Sequence, residues 1–166
     1  MAILKIVKYP DPFLKRIAKK VLTKDFNCKL SNIIKNMFDT MYHYNGIGLA
    51  ATQVKLDMQM FVLDQKKPLV VINPEIVEKS GISLEEEGCL SIPGIYPKVR
   101  RAEVIAINYK DEKNKLCYLK TDGYLSRCIQ HEIDHLNGIT FFSHLSSLKN
   151  SILKIKYRKY LLRNDF

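Results

Sequence analysis

The 166 residues, 46% of them hydrophobic and 10% aromatic, suffice for one domain with a sizeable core and are too apolar for a disordered chain. No uninterrupted apolar run approaches the roughly 20 residues of a membrane span, and Met1 to Val7 is too short and interrupted for a signal peptide, so a cytoplasmic protein with no membrane partner is expected. The net charge of +10 points to an anionic partner or to a lysine-rich solvated exterior, and it identifies no reaction. With no secretory signal or dense cysteine framework, Cys28, Cys89, Cys117 and Cys128 are read as reduced thiols.

In chain order, Tyr9-Pro10-Asp11-Pro12 reads as a turn and Phe13 to Lys20 as a short helix. Leu30, Ile33, Ile34, Met37, Phe38 and Met41 then recur at helical spacing, with Asn27 or Ser31 as cap, Asn45-Gly46 as stop and His43 as a structural residue. Gly46-Ile47-Gly48 lacks the third glycine and the preceding strand of a dinucleotide-binding turn, so its small residues are read as letting backbone approach a peptide. Met58 to Asp64, Leu69 to Asn73, Ala102 to Tyr109 and Lys115 to Lys120 carry the β-branched or alternating apolar residues of antiparallel strands. Thr121-Asp122-Gly123 can open a helix whose Leu125, Ile129, Ile133 and Leu136 face the core, with Ser126, Gln130 and Asn137 facing outward. Leu145, Leu148, Ile152, Ile155 and Leu162 predict a C-terminal helix with six positive charges before any acid. The expected fold is α+β: antiparallel strands around a central helix, with N- and C-terminal helices, residues 1–166 forming one domain and 145–166 a basic C-terminal helix.

That central helix carries His131-Glu132-Ile133-Asp134-His135. Two histidines four residues apart stand about 40° apart on one face, where both imidazoles can hold one metal ion while Glu132 handles protons. Position 141, where a third histidine would complete one familiar pattern, is Phe141. No Glu follows Glu132, and beyond His135 the only carboxylate side chain is Asp165. The remaining ligand therefore lies upstream or is His144. Cys128 shares the histidine face, but three ligands along one straight helix span about 10 Å, so it is read as a pocket wall. Cys89, in the Gly- and Pro-flanked stretch Glu87-Gly88-Cys89-Leu90-Ser91-Ile92-Pro93-Gly94, is the stronger candidate, giving a Cys-His-His site with one open position. Tyr124 and Arg127 flank the pocket, unless Arg127 is a solvated helix charge.

Three ordered stretches, Gly46-Ile47-Gly48-Leu49-Ala50-Ala51-Thr52-Gln53, Glu87-Gly88-Cys89-Leu90-Ser91 and Gln130-His131-Glu132-Ile133-Asp134-His135-Leu136, resemble the motifs of the peptide deformylase family across nearly the whole chain. The resemblance implies removal of the N-formyl group from the initiator methionine of newly made polypeptides, with N-formylmethionyl nascent peptides as substrates. It implies metal ligands Cys89, His131 and His135, Glu132 as the proton-transfer group, and Gln53 and the Leu90 N–H as supports for the developing oxyanion. Ile47, Cys128 and Ile129 become walls of the methionine pocket and Gly48 a main-chain contact. One divalent ion per chain is expected, with Fe2+ leading and Zn2+, Ni2+ or Co2+ suiting the same donors. The family's C-terminal helix implies the ribosome as a partner; no dedicated DNA binding is expected. Departures from the family pattern are Lys55, where glycine is frequent, and Tyr124 and Arg127, at positions often apolar. A general metalloendopeptidase, or a non-catalytic basic module stabilised by zinc, would use some of the same residues.

Overall fold

The computed structural model describes residues 2–164; Met1, Asp165 and Phe166, among them the last candidate carboxylate, lie outside the described residues. Helix α1 runs from Cys28 to His43, its first free N–H groups at Lys29 and Leu30 capped by the Asn27 side chain. It ends where Asn45 takes a left-handed backbone, φ 53°, and Gly46 N–H returns to the Met41 carbonyl. Leu30, Ile34, Met37 and Met41 form its buried stripe.

Among the described residues seven strands follow in antiparallel pairings: β1 (Gly48–Ala50), β2 (Met60–Asp64), β3 (Pro68–Ser80), β4 (Ser83–Glu86), β5 (Lys98–Arg101), β6 (Val104–Lys110) and β7 (Leu116–Asp122). Five of them form a sheet in the order β1-β2-β3-β6-β7, while β4 and β5 make a separate hairpin. Strand β3 is much longer than the expected Leu69 to Asn73, because a break in register after Ile72 lets its first part pair with β2 and its second with β6. The break is fixed by Asn73, at φ 50°, whose side-chain amide bonds both the N–H and the carbonyl of Val21.

Strand β2 sits at the centre of the packing. Met60 and Val62 turn towards the α1 stripe, whereas Phe61 and Leu63 turn to the other side, against Ile129, Ile133 and Leu136 of helix α2 (Gly123–Leu136). This alternation places one helix on each face of the sheet, and all four side chains are fully buried, each contributing roughly 1.5–3 kcal/mol. A third cluster, Ile92, Ile95, Val99, Phe141, Phe142 and Tyr157, lies beneath the Cys89-to-Pro97 loop and is closed by helix α3 (Ser147–Arg163).

Three expectations need correction, and one departure finds its physical reason. Phe13 to Lys20 is not a helix: only Pro12–Lys15 forms a 3-10 turn, after which the chain runs extended and pairs backbone groups with Leu136 and Gln59. Ser126 and Gln130 do not face outward; both are buried because they bond the N–H and carbonyl of Ala102, fastening α2 to the lead-in of β6. Arg127 is not a solvated charge, since it is buried in a carboxylate network described below. Lys55 adopts φ 60°, the left-handed conformation that glycine accepts most readily, which accounts physically for the preference expected at that position.

Candidate metal centre

Two chain segments, the Cys89 loop and helix α2, bring three donor atoms to one point. The Sγ of Cys89 lies 3.2 Å from Nε2 of His135, which is 3.2 Å from Nε2 of His131. All three donor atoms fall within 4.8 Å of one another, the one such group among the described residues. Bonds of about 2.0–2.3 Å to a tetrahedral ion place donors about 3.3–3.8 Å apart, so the spacing and the chemistry of one thiolate with two imidazoles both fit a divalent metal. The other proposed ligand, His144, is turned away: its Nε2 bonds Asp134 at 2.6 Å, and Cys128 stands half-buried to one side of the cluster.

The His131 ring is oriented from behind. Its Nδ1 donates to Glu87 Oε2 at 3.0 Å, leaving Nε2 with a lone pair facing the other donors. Glu87 is also gripped by Arg101, whose Nε and Nη2 reach its two oxygens at 2.8 and 2.9 Å, and by Arg127 Nη1 at 2.7 Å. Arg101 goes on to Asp134, and Arg127 to the Val99 carbonyl and Ser83 hydroxyl. Burial opposes ionisation of Glu87, but Arg101 and His131 outweigh it and hold the carboxyl far below its usual range. At Cys89 burial likewise opposes the thiolate, yet His135 and His131 bring the thiol down to about 5.

Glu132 is the exception among the buried carboxylates. Its Oε2 is buried without a hydrogen-bond partner among the described residues, and burial pushes its carboxyl upward against the pull of the two histidines. Space for it is made by Gly48, where an added Cβ would strike Glu132 Oε1. Gln53 is buried as well, with its Oε1 fixed by the Ala50 N–H at 2.9 Å and its Nε2 donating to Ser91 Oγ at 3.1 Å and towards Cys89 Sγ at 3.6 Å. Gln53 is thus a buried, engaged amide and not a surface one. Leu90 follows Cys89 with its carbonyl held by Lys8 Nζ at 2.8 Å. Ile47 is exposed at the rim, whereas Ile129 lies in the core beneath α2.

The residues that sequence reasoning missed are Arg101, Asp134 and the inward role of Arg127. Their signal was weak, since an isolated arginine on a strand or helix is ordinarily solvated, and only Glu87, already inside a recognised stretch, pointed to a buried cation partner. A depressed folded-state pKa means that Glu87 stabilises the fold fully above its ordinary value of 4.5, with the contribution falling as pH drops below that value towards its folded pKa. Carboxyl-carbon NMR should therefore find Glu87 still ionised well below pH 4.5; a midpoint near 4.5 would contradict the network.

The chain matches the family model described as polypeptide deformylase over residues 3–151. A peptide deformylase from Chromobacterium violaceum is 48% identical over 163 residues, covering 96% of this chain and 96% of its own. The solved peptide deformylase from Legionella pneumophila superposes with a TM-score of 0.90 at 43% identity, covering 96% of this chain and 95% of that one. The Synechococcus elongatus peptide deformylase, solved in complex with actinonin, gives 0.86 at 39% identity, covering 98% and 86%. On the family match and on relatives of this identity and coverage, the chain that brings a buried thiol and two imidazoles together belongs to the polypeptide deformylase family.

Proposed function

We infer that this chain is a metalloenzyme that removes the N-formyl group from the N-terminal methionine of newly made polypeptides by hydrolysing the formyl amide. Its main support is the juxtaposition of the Cys89, His131 and His135 donors with the unpartnered carboxylate oxygen of Glu132. A divalent ion held by these three residues would acidify a water and polarise the formyl oxygen. Glu132 would accept a proton from the attacking water as the water oxygen bonds to the formyl carbon, and would deliver it to the amine nitrogen as the C–N bond breaks, releasing formate. Burial raises the affinity of Glu132 for the proton it must hold between these two transfers. Gln53, already fixed through its Oε1, offers its N–H with the Leu90 N–H to the developing oxyanion. Ile47 and Cys128 are proposed as walls for the methionine side chain and Gly48 as a main-chain contact of the peptide, whereas Ile129, expected beside them, is buried in the cluster of Phe61 and Leu63 on β2; burial keeps the Cys128 thiol protonated, pushed up to about 12.

Fe2+ is the ion we propose, with Zn2+, Ni2+ and Co2+ matching the same donors. Three protein donors among the described residues leave a position open, unlike a closed structural zinc site, which disfavours the non-catalytic module. We read residues 1–166 as one catalytic domain acting in the cytoplasm. No described helix is long and apolar enough to cross a membrane, and no membrane partner is proposed.

Cleavage of formylmethionyl peptides without attack on internal peptide bonds separates this function from a general endopeptidase. Glu132→Gln should retain the metal, as read by elemental analysis, and lose at least about 10²-fold in kcat, because the amide cannot accept the proton. Near-normal turnover in that variant would remove Glu132 from the reaction.

The basic helix α3 is proposed to contact the ribosome. Tyr157 is buried under the Cys89 loop, with its hydroxyl 3.4 Å from the Ser91 carbonyl, so truncation before Lys156 would disturb the site and charge substitution is the cleaner test. Lys156→Glu with Arg163→Glu should weaken co-sedimentation with ribosomes, and wild-type binding should fall steeply with salt while turnover of a short formylated peptide is preserved. Equal pelleting of variant and wild type would reject the contact.

A further inference from the structure

Helix α3 has two apolar faces. Leu153, Tyr157, Tyr160 and Leu161 turn inward to the cluster beneath the Cys89 loop. On the opposite side Leu148, Ile152, Ile155 and Leu162 are 72%, 55%, 56% and 82% exposed. Together with exposed Lys159 they stand four, three, four and three residues apart, which is the seam repeat of a coiled coil, over about 21 Å of helix axis. The positions flanking this seam are Lys149, Ser151, Lys156, Arg158 and Arg163, and no acid occurs between Ser147 and Arg163. Of the cations that look evenly scattered in the sequence, Lys149, Lys156 and Arg163 thus line one edge of an uncovered seam and Arg158 stands on the other.

We propose that the outward face of α3 docks an acidic heptad helix of a partner protein, one with aliphatic residues along its seam and Asp or Glu along both edges, as a short two-stranded coiled coil. Charge complementarity selects this occupant. A second copy would bring cationic rims against cationic rims and a second Lys159 into the seam. An anionic bilayer suits a wider apolar face, and would draw Lys159, at the middle of this narrow one, into the acyl layer. A nucleic acid would answer the cations and leave the four aliphatic side chains in water. An acidic helix satisfies rims and seam together and can place a carboxylate opposite Lys159. This interface does not rest on the catalytic reading, and it differs from the proposed ribosome contact in demanding an apolar surface as well as negative charge.

The test uses the full-length protein and a labelled synthetic helix of three heptads, with Leu along the seam, Glu along both edges and one Glu placed to face Lys159. Fluorescence anisotropy should show saturable binding at least about tenfold tighter than for a scrambled peptide of the same composition. Ile152→Ser with Ile155→Ser should weaken binding by about tenfold or more, with turnover of a formylated peptide and the circular dichroism of the protein unchanged. Equal binding of the scrambled peptide would reduce the effect to plain charge and overturn the proposal, as would unaltered binding by the double variant. Vesicles containing phosphatidylglycerol, or a single-stranded RNA, that depended on Ile152 and Ile155 as strongly as the peptide does would overturn it in favour of that partner. A dimer in sedimentation equilibrium, abolished by the same two substitutions, would overturn it in favour of self-association.

Discussion

The Glu87 carboxylate is the interaction on which the rest of the site depends. It is nearly inaccessible to solvent and receives bonds from Arg101 on β5 and from Arg127 and His131 on α2. Burying a carboxylate costs several kcal/mol, and this one is tolerable because its oxygens are shared among two guanidiniums and one imidazole. The same bonds pin the separate β4-β5 hairpin to α2 and turn the His131 ring so that Nε2 meets His135 and Cys89. Removing one partner would leave the others as unpaired buried charges, so the network transmits any local change to the orientation of the donors.

The sheet supplies the second constraint. Because β2 is covered on both faces, α2 has one place to lie, and its Ile129, Ile133 and Leu136 spend their burial there while His131 and His135 look towards the Cys89 loop. Ser126 and Gln130 lock its axial position through Ala102, and the Thr52 hydroxyl donates to the His135 carbonyl at 3.1 Å. The loop is supported from below by aromatic packing that includes α3: Tyr157 is buried there, and an added Cβ at Gly94 would stand 2.5 Å from the Tyr160 ring. A helix that looks like a detachable basic tail in sequence is therefore part of the frame of the site.

What was legible in the sequence followed from local periodicity. The stripe of α1, the helix bearing His131 and His135, the cores of β2, β6 and β7, and Cys89 as the thiol nearest the histidines could all be read without distant contacts. Strands β4 and β5 could not, since Ser83–Glu86 and Lys98–Arg101 are mostly charged and become strands by pairing with each other. The wheel placed Ser126, Arg127 and Gln130 wrongly for a related reason: a polar side chain is buried when its partner is present, and their partners lie 24 to 44 residues away in sequence. Gln53 was singled out through family resemblance, its residue type alone being silent. The two-faced character of α3 was hidden because opposed apolar arcs blur into an apparently unpatterned helix until the buried face is known.

The central claim is that Cys89, His131 and His135 hold one divalent ion, leaving Glu132 free to move protons. X-ray absorption on anaerobically purified protein, paired with metal quantitation in wild type, Cys89→Ala and Cys128→Ala, tests it most directly. The account predicts about one ion per chain, one sulfur at about 2.3 Å with two imidazole nitrogens, and loss of the ion in Cys89→Ala alone. A centre without sulfur, or one lost equally in both cysteine variants, would contradict it.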